Sequence, residues 1–484
     1  MKTKRLPVFL GLFVAVVCVG FFVVLRIGNT EKALTFSKDG GFYEREVTLK
    51  LKAPKGATIY YTTDGTVPTE QSKTYKKPLK LKDRSPEPNV LSAKINVTFT
   101  DTFKPKAPIA KGTVVRAFAK YKNGKQSDVI TKTYFIGKDF CKKYKDIPVF
   151  SLSVNPEDLY DKETGIYVKG KVFDDWVANG GDAANTPTWE MPANFTQTGR
   201  EWEKPVHYEL FPGDTKNVDR KTKLDQYDTF VLRNGGNDSW LTKFRHRYIQ
   251  LLVADRAPCV QETRPCIVFL NGEYWGIYTM TDDAMSFDPK EIEGSQITLF
   301  SNLLKNESFK QQFVTTFMDM VNYNFSKERL NRLLDQMVEE YEPYMPDYYQ
   351  RFGNTFPAGS ILPNPMDAFH TSLNEMKLFL SKRNDYIPKM LKDTLHLKGN
   401  AVDVTVNVND ISGGTVTINS ITPDFTKGEF KGQYFEDYEI TLTAKPEKGY
   451  QFKGWRKDAD SKESTITVKP GKSCNLEAIF EKKS

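Results

Sequence analysis

Residues 34–137 alternate apolar and polar positions with a period of two. Val47, Leu49 and Leu51 fall on one face of "REVTLKLKA", and strand-like stretches return in "ATIYYTTDGTVPT" and "GTVVRAFAKYKNGKQSDVITKTYFI". Such a pattern predicts half-buried strands. Asp64-Gly65 and Asn123-Gly124 read as hairpin turns, because these pairs tolerate positive φ. Together they predict a β-sandwich of about 100 residues. Residues 401–484 are again strand-patterned ("VDVTVNV", "GTVTINS", "YEITLTAKP", "STITVKP", "NLEAIF") and predict a small all-β domain. In its "KGYQFKGW" segment, Gly449 and Gly454 would serve bends while Phe452 and Trp455 pack the core.

Between these modules, residues 140–397 read as α+β. "IPVFSLSV" and "KPVHYELF" predict strands, and 179–185 a loop. "RPCIVFLNGEYWGIYTM" predicts a hairpin with Asn271-Gly272 at its tip. Helices follow. Phe309, Phe313, Phe317 and Met320 share one stripe, and Leu330, Leu333, Leu334 and Met337 another. A last helix is expected over about 367–392, broken near Pro388.

The N-terminus changes the picture. Lys2, Lys4 and Arg5 precede an uncharged run from Pro7 to Leu25, closed by Arg26. Nineteen residues approach the roughly 20 that span a bilayer. Residues 1–30 are therefore expected to form an uncleaved signal anchor, with the basic end inside and the bulk of the chain extracytoplasmic; the alternative is a cleaved signal and a secreted chain. Cys18 belongs to that run. Of the exported cysteines, Cys259 and Cys266 flank a short loop, while Cys141 and Cys474 stand apart, a poor basis for a disulfide framework. The four histidines are scattered, and neither they nor the cysteines have zinc-ligand spacing. A net charge of +8 over 484 residues permits attraction to acidic polymers without specifying nucleic acid.

Candidate chemistry concentrates in "FVLRNGGNDSWLTKFRHRYIQLL". A strand ending at Arg233 meets Asn234-Gly235-Gly236-Asn237, and a helix capped by Asn237, Asp238 or Ser239 is expected to follow, with Leu241, Phe244, Tyr248 and Leu251 on its apolar face. Strand, glycine turn and helix start can cradle a phosphate on backbone N–H groups. Arg233, Asn234, Gly235, Gly236 and Asn237 are thus the candidate nucleotide-binding residues, although the turn matches neither G-x-G-x-x-G nor G-x-x-x-x-G-K-[ST]. Asp238 would repel a phosphate unless a metal or lysine intervened. Lys243 and Arg245 supply nearby positive charge. Asp282 and Asp283 are further candidates for a catalytic or metal-holding carboxylate, with the reservation that neighbours on an extended chain point to opposite faces. A rival site would use Trp176, Trp189, Trp202, Trp240, Tyr274 and Trp275 to stack sugars, with Glu201 and Glu203 as a carboxylate pair.

Three resemblances attach to these stretches. "IYYTTDGTVPT" resembles the β-sandwich module of the C-terminal domain of chitobiases and β-hexosaminidases, an accessory or spacer unit. "KGYQFKGW" resembles the bacterial repeat of internalin-type surface proteins. "IPVFSLSVNPEDLYDKETGIYVKGK", "REWEKPVHYELF", "FVLRNGGND" and "VFLNGEYWGIY", in that order, resemble the spore coat protein H (CotH) family. That resemblance implies a protein-kinase-like fold and, in active members, protein phosphorylation with ATP and Mg or Mn.

Two departures bear on activity. The family places a phosphate-facing lysine between the "YELF" and "LRNGGND" strands, and here Lys216, Lys221 and Lys223 follow no such pattern. After the "LNGEYWGIY" hairpin the family continues through a segment with its metal-binding aspartates, and here the late helices begin near Leu299 instead. The expected architecture is multidomain: a transmembrane anchor (1–30), a β-sandwich (34–137), a shortened kinase-like α+β domain (140–397) and a β repeat module (401–484). The expected function is that of a membrane-anchored bacterial surface protein whose reduced kinase-like domain binds or scaffolds, with a surface protein or cell-wall polysaccharide as partner. An active CotH-type kinase, with Asp238, Asp282 or Asp283 in the metal role, and a glycan-binding adhesin are the alternatives.

Overall fold

The computed structural model describes residues 33–94, 97, 104–188, 190–213, 230–239, 241–256, 263–282, 300–352 and 364–483. The chain is multidomain and mostly β, with several sheets. The expected membrane anchor is corrected: among the described residues no helix is long and apolar enough to cross a membrane, and residues 1–30, on which the anchor was placed, lie outside them. The longest described helix, Pro365–Leu395, carries Lys382, Arg383, Asp385, Lys389, Lys392 and Asp393 within its second half, each costly in hydrocarbon. The chain divides into two compact units. One takes in residues up to Arg220 together with Cys266–Ile277 and Asp347–Gly353, and the other takes in the remainder.

In the first unit, five strands form the main sheet of the sandwich, in the order Gly41–Tyr43, Ile130–Ile136, Thr113–Lys120, Thr58–Thr62, Lys73–Thr74. Its core comprises the alternating Val47, Leu49 and Leu51 with Ile59, Leu81, Val115, Ala117, Ala119 and Tyr134. Alternation by itself predicts one dry face. The strand Thr113–Lys120 is instead buried at all but its last residue, because the opposite face of this sheet is covered too.

The cover is a second sheet, in which Val149–Ser153 runs antiparallel to His207–Phe211 and parallel to Thr263–Leu270. Phe135 from the sandwich meets Phe269 at 4.8 Å and Phe211 at 5.5 Å between ring centroids, and Phe42 and Phe140 flank it at 5.0 and 5.2 Å. One pleat further along, the Thr133 hydroxyl donates to Glu209 at 2.6 Å and lies 2.8 Å from the Ser151 hydroxyl. The predicted hairpin turn is present, with Asn271 at φ 48° and Gly272 at φ 85°. It is also a joint. The Gly112 N–H donates to the Gly272 carbonyl at 2.8 Å, and a Cβ on Gly272 would lie 2.4 Å from the Gly112 oxygen. Asn271 clasps Val154 through both its amide atoms, accepting at 2.8 Å and donating at 2.7 Å.

In the second unit, Phe230–Arg233 pairs antiparallel with Thr279–Asp282, the far end of the strand that leaves the hairpin. Helices Arg245–Val253, Glu307–Asp319, Lys327–Tyr341 and Pro365–Leu395 follow. Leu330, Leu333, Leu334 and Met337 are all buried, as their spacing predicts. On Glu307–Asp319 the fully buried stripe is Val314 and Met318, and Phe313 and Phe317 pack beside it. Pro365–Leu395 continues through Pro388 rather than breaking, and Ile387 and Leu391, on either side, are buried in the core.

The C-terminal module has a four-stranded sheet in the order Phe430–Phe435, Ala401–Val408, Cys474–Lys482, Tyr450–Lys457, and a three-stranded sheet of Gly414–Ile418, Ile440–Pro446 and Thr465–Val468. Gly449 turns at φ 89°, and Gly454 sits at a bulge where a Cβ would lie 2.9 Å from the Ser461 oxygen. Trp455 is buried and donates its indole N–H to Glu463 O at 3.0 Å. This module shares one hydrophobic core with Val314, Met318, Val321, Ile387 and Leu391 of the helices.

Candidate functional site

The glycine turn folds from its own sequence. Arg233 ends the strand, exposed; Gly235 and Gly236 adopt φ 100° and 56°, and Gly236–Asp238 make a single 3-10 turn. The helix does not start here. It begins at Arg245, because Lys243 takes the left-handed conformation (φ 64°) and turns the chain once more. Asp238 is therefore no ordinary first-turn cap. It is 7 % exposed, and its carboxylate accepts from the Thr242 N–H (3.2 Å), the Thr242 hydroxyl (2.8 Å) and the Arg245 N–H (3.0 Å), with the Arg245 guanidinium 3.2 Å away. Both oxygens are engaged by the chain itself.

The adjacent lysine is similarly committed. Lys243 is buried, and its ammonium donates to the Asn234 carbonyl and side-chain oxygens, both at 2.9 Å. His246 lies close by, and burial followed by the charge of Arg233 holds its imidazole below the usual histidine range. Behind the turn, Arg247 pairs with Glu340 at 2.9 Å and donates to the carbonyl of Thr263, while the Tyr248 hydroxyl donates to Leu330 O at 2.9 Å. These contacts pin the helix from below. Asp238→Ala removes the acceptor for the Arg245 N–H and the buried Thr242 hydroxyl. It is expected to destabilise the second unit by about 2 kcal/mol in urea denaturation.

The other candidates do not join this turn. Asp282 pairs with Phe230, whereas Arg233 pairs with Thr279. Three residues along a strand put Asp282 about 10 Å from the start of the turn. Asp283 lies outside the described residues, and so do Trp189, Trp240 and Cys259. The side chain of Asn237 is not described either. Among the described residues no group of three or more His, Cys, Asp or Glu is placed to hold a metal.

The sugar-stacking surface is not assembled from the residues proposed for it. Tyr274 and Trp275 are buried, and the Arg351 guanidinium covers the Trp275 ring at 4.4 Å. Glu201 lies in a 3-10 turn, Arg200–Trp202, and Glu203 follows it, so the pair shares no strand face; the strand begins only at His207. The commitment of Asp238 to Thr242 went unread in the sequence. Its only trace is the i, i+4 spacing of the two residues.

These features define a multidomain, mostly β chain with an α+β middle region that contains the glycine turn. Three family models match it in order: Fn3 associated over 47–134, CotH kinase protein over 200–286 and 285–387, and divergent InlB B-repeat domain over 404–484. The domain order is CotH-like, with the glycine turn inside the CotH match and the Val149–Ser153 strand N-terminal to it. The module whose motif resembles the chitobiase type matches the Fn3-associated model, and the "KGYQFKGW" module matches the internalin-type repeat as expected. No curated protein matches the chain.

Proposed function

We propose that this chain is an exported bacterial surface protein whose CotH-like domain is reduced and acts in binding or scaffolding, with a surface protein or cell-wall polysaccharide as partner. The observation that carries this reading is the saturation of Asp238 by Thr242 and Arg245. A carboxylate that serves a metal–phosphate centre needs free lone pairs facing it. This one spends them on the backbone and on an arginine. Lys243, spent on Asn234, is in the same position. The family match adds support, because it falls in two segments, 200–286 and 285–387, that meet where the family's aspartate-bearing segment is expected.

Thermal denaturation with ATP and Mg²⁺ or Mn²⁺, paired with incorporation of labelled phosphate, tests the reading. No shift and no incorporation are expected. A metal-dependent shift together with autophosphorylation would establish an active kinase instead. Retention of the chain on purified cell-wall polysaccharide, but not on a neutral glucan, would identify the polysaccharide partner.

A further inference from the structure

Between the sandwich and the second sheet, the layer beside Thr133 is polar and closed. Phe135 meets Phe211 and Thr133 meets Glu209, so the two-residue period brings Thr131 and His207 together one pleat further on. Arg116 is the cross-strand neighbour of Thr131, and Ser153 is that of His207. Four polar atoms are buried here without a hydrogen-bond partner: Thr131 Oγ1, Ser153 Oγ, Arg116 Nε and His207 Nε2. Buried polar groups are ordinarily paired, so this layer is costly to keep closed.

The charges around His207 are lopsided. Arg116 is buried, donates to the Gly65 carbonyl at 3.0 Å, and has no carboxylate offsetting its burial among the described residues. Lys132 adds positive charge, and its own partner, Asp39 at 3.6 Å, is exposed to water. The nearer carboxylates are turned elsewhere. Glu209 accepts from the Thr133 hydroxyl at 2.6 Å, and Asp64, next to Gly65, accepts from the Thr66 N–H at 3.1 Å and from its hydroxyl at 2.6 Å. Burial, then the charges of Arg116 and Lys132, hold the half-buried imidazole below the usual histidine range.

We propose that His207 makes the contact between the sandwich and the second sheet acid-sensitive, so that the two sheets loosen when its imidazole takes up a proton. An imidazolium carries an N–H on both ring nitrogens. Nε2 then holds a donor and a share of positive charge close to Arg116, with no carboxylate to receive it, and parting the strands returns it to water. The sign follows from the neutral form being the one that the fold prefers. The contribution of His207 is complete above about pH 6.5, the ordinary histidine value, and is lost as pH falls from there toward its lowered folded value. Glu209 pulls the other way. Burial holds its carboxyl above the usual range, so acidification relieves a desolvated charge. Glu209 has the Thr133 hydroxyl as a donor, whereas Nε2 of His207 has no partner, so His207 sets the direction.

Hydrogen exchange of the full chain, read by mass spectrometry at about pH 7.5 and about pH 5 and corrected for intrinsic exchange, tests this. Protection in Ile130–Ile136 and His207–Phe211 is expected to fall several-fold at the lower pH, relative to Ile440–Pro446 in the C-terminal module. His207→Gln stays neutral at both values and is expected to abolish that fall. Glu209→Gln removes the opposing titration and is expected to deepen it. Ser153→Asp sets a carboxylate across the strand pair from His207 and is expected to reverse the sign, with protection rising on acidification. Equal protection at both pH values in the wild-type chain would overturn the proposal, and so would an undiminished fall in His207→Gln. Should His207→Gln fail to fold, a fall in Ser153→Asp as large as the wild-type one overturns it instead. A fall that Glu209→Gln abolishes would move the titration to the carboxyl and overturn the role given to His207.

Discussion

Asp319→Ala is expected to cost the second unit about 3–5 kcal/mol, the range for stripping one member from a buried charged network. Asp319 is 0 % exposed at the end of its helix, where the chain widens into a π turn, Met320–Asn324. One carboxylate oxygen accepts from the Tyr434 hydroxyl at 2.6 Å and Asn419 Nδ2 at 3.0 Å, and the other accepts from the N–H of Ser420 at 3.0 Å and from its hydroxyl. Burial, and then this carboxylate's charge, hold the Tyr434 phenol far above its usual pKa, so it stays a donor. Alanine would strand a buried phenol and a backbone N–H together. Asp319→Asn keeps one acceptor but turns an NH₂ toward Ser420, and should recover only part of the loss. Urea unfolding followed by tryptophan fluorescence, to which Trp455 of this core contributes, gives the number. A loss under about 1 kcal/mol would mean that water substitutes for the carboxylate.

Phe135→Ala is expected to destabilise the first unit by about 3–5 kcal/mol, as large-to-small changes at fully buried aromatics do. More telling is where the loss appears. Phe135 touches Phe42 on its own side and Phe211 and Phe269 on the other. If the two sheets form one cooperative body, hydrogen exchange should quicken together in Thr113–Lys120 and in Val149–Ser153. Faster exchange confined to the sandwich strands would show that each sheet unfolds alone.

Local signals in the sequence were legible where one residue type has one physical use. Asn271-Gly272 announces its turn, and Leu330, Leu333, Leu334 and Met337 announce their helix. Gly449 and Gly454 announce bends because side chains are unwelcome there. What remained hidden depends on distant partners. Thr131 and Thr133 look like the solvent side of a strand, yet both are buried, Thr133 against Ser151 and Glu209 of the second sheet. Lys111 looks like a surface lysine until its three acceptors are seen. The helix after the glycine turn was expected six or so residues too early, since nothing in "LTKF" marks Lys243 for a left-handed conformation, which non-glycine residues seldom adopt. Of the candidate site, the turn and its glycines were readable. The saturation of Asp238 and the separation of Asp282 were not, because both follow from chain register rather than composition.

The joint at Gly112 and Gly272 bears on how such genes can be shuffled. A recombination event that cut after residue 137 would deliver the middle region with Phe211, Phe269 and Ser151 facing water and the hairpin tip without its edge. The donor of the sandwich would inherit a sheet with Thr133 and Phe135 bare. Transfer of either half alone should yield aggregating, quickly degraded products. The pair is therefore expected to move through genomes as a single cassette, whereas surface substitutions within either half remain free to drift.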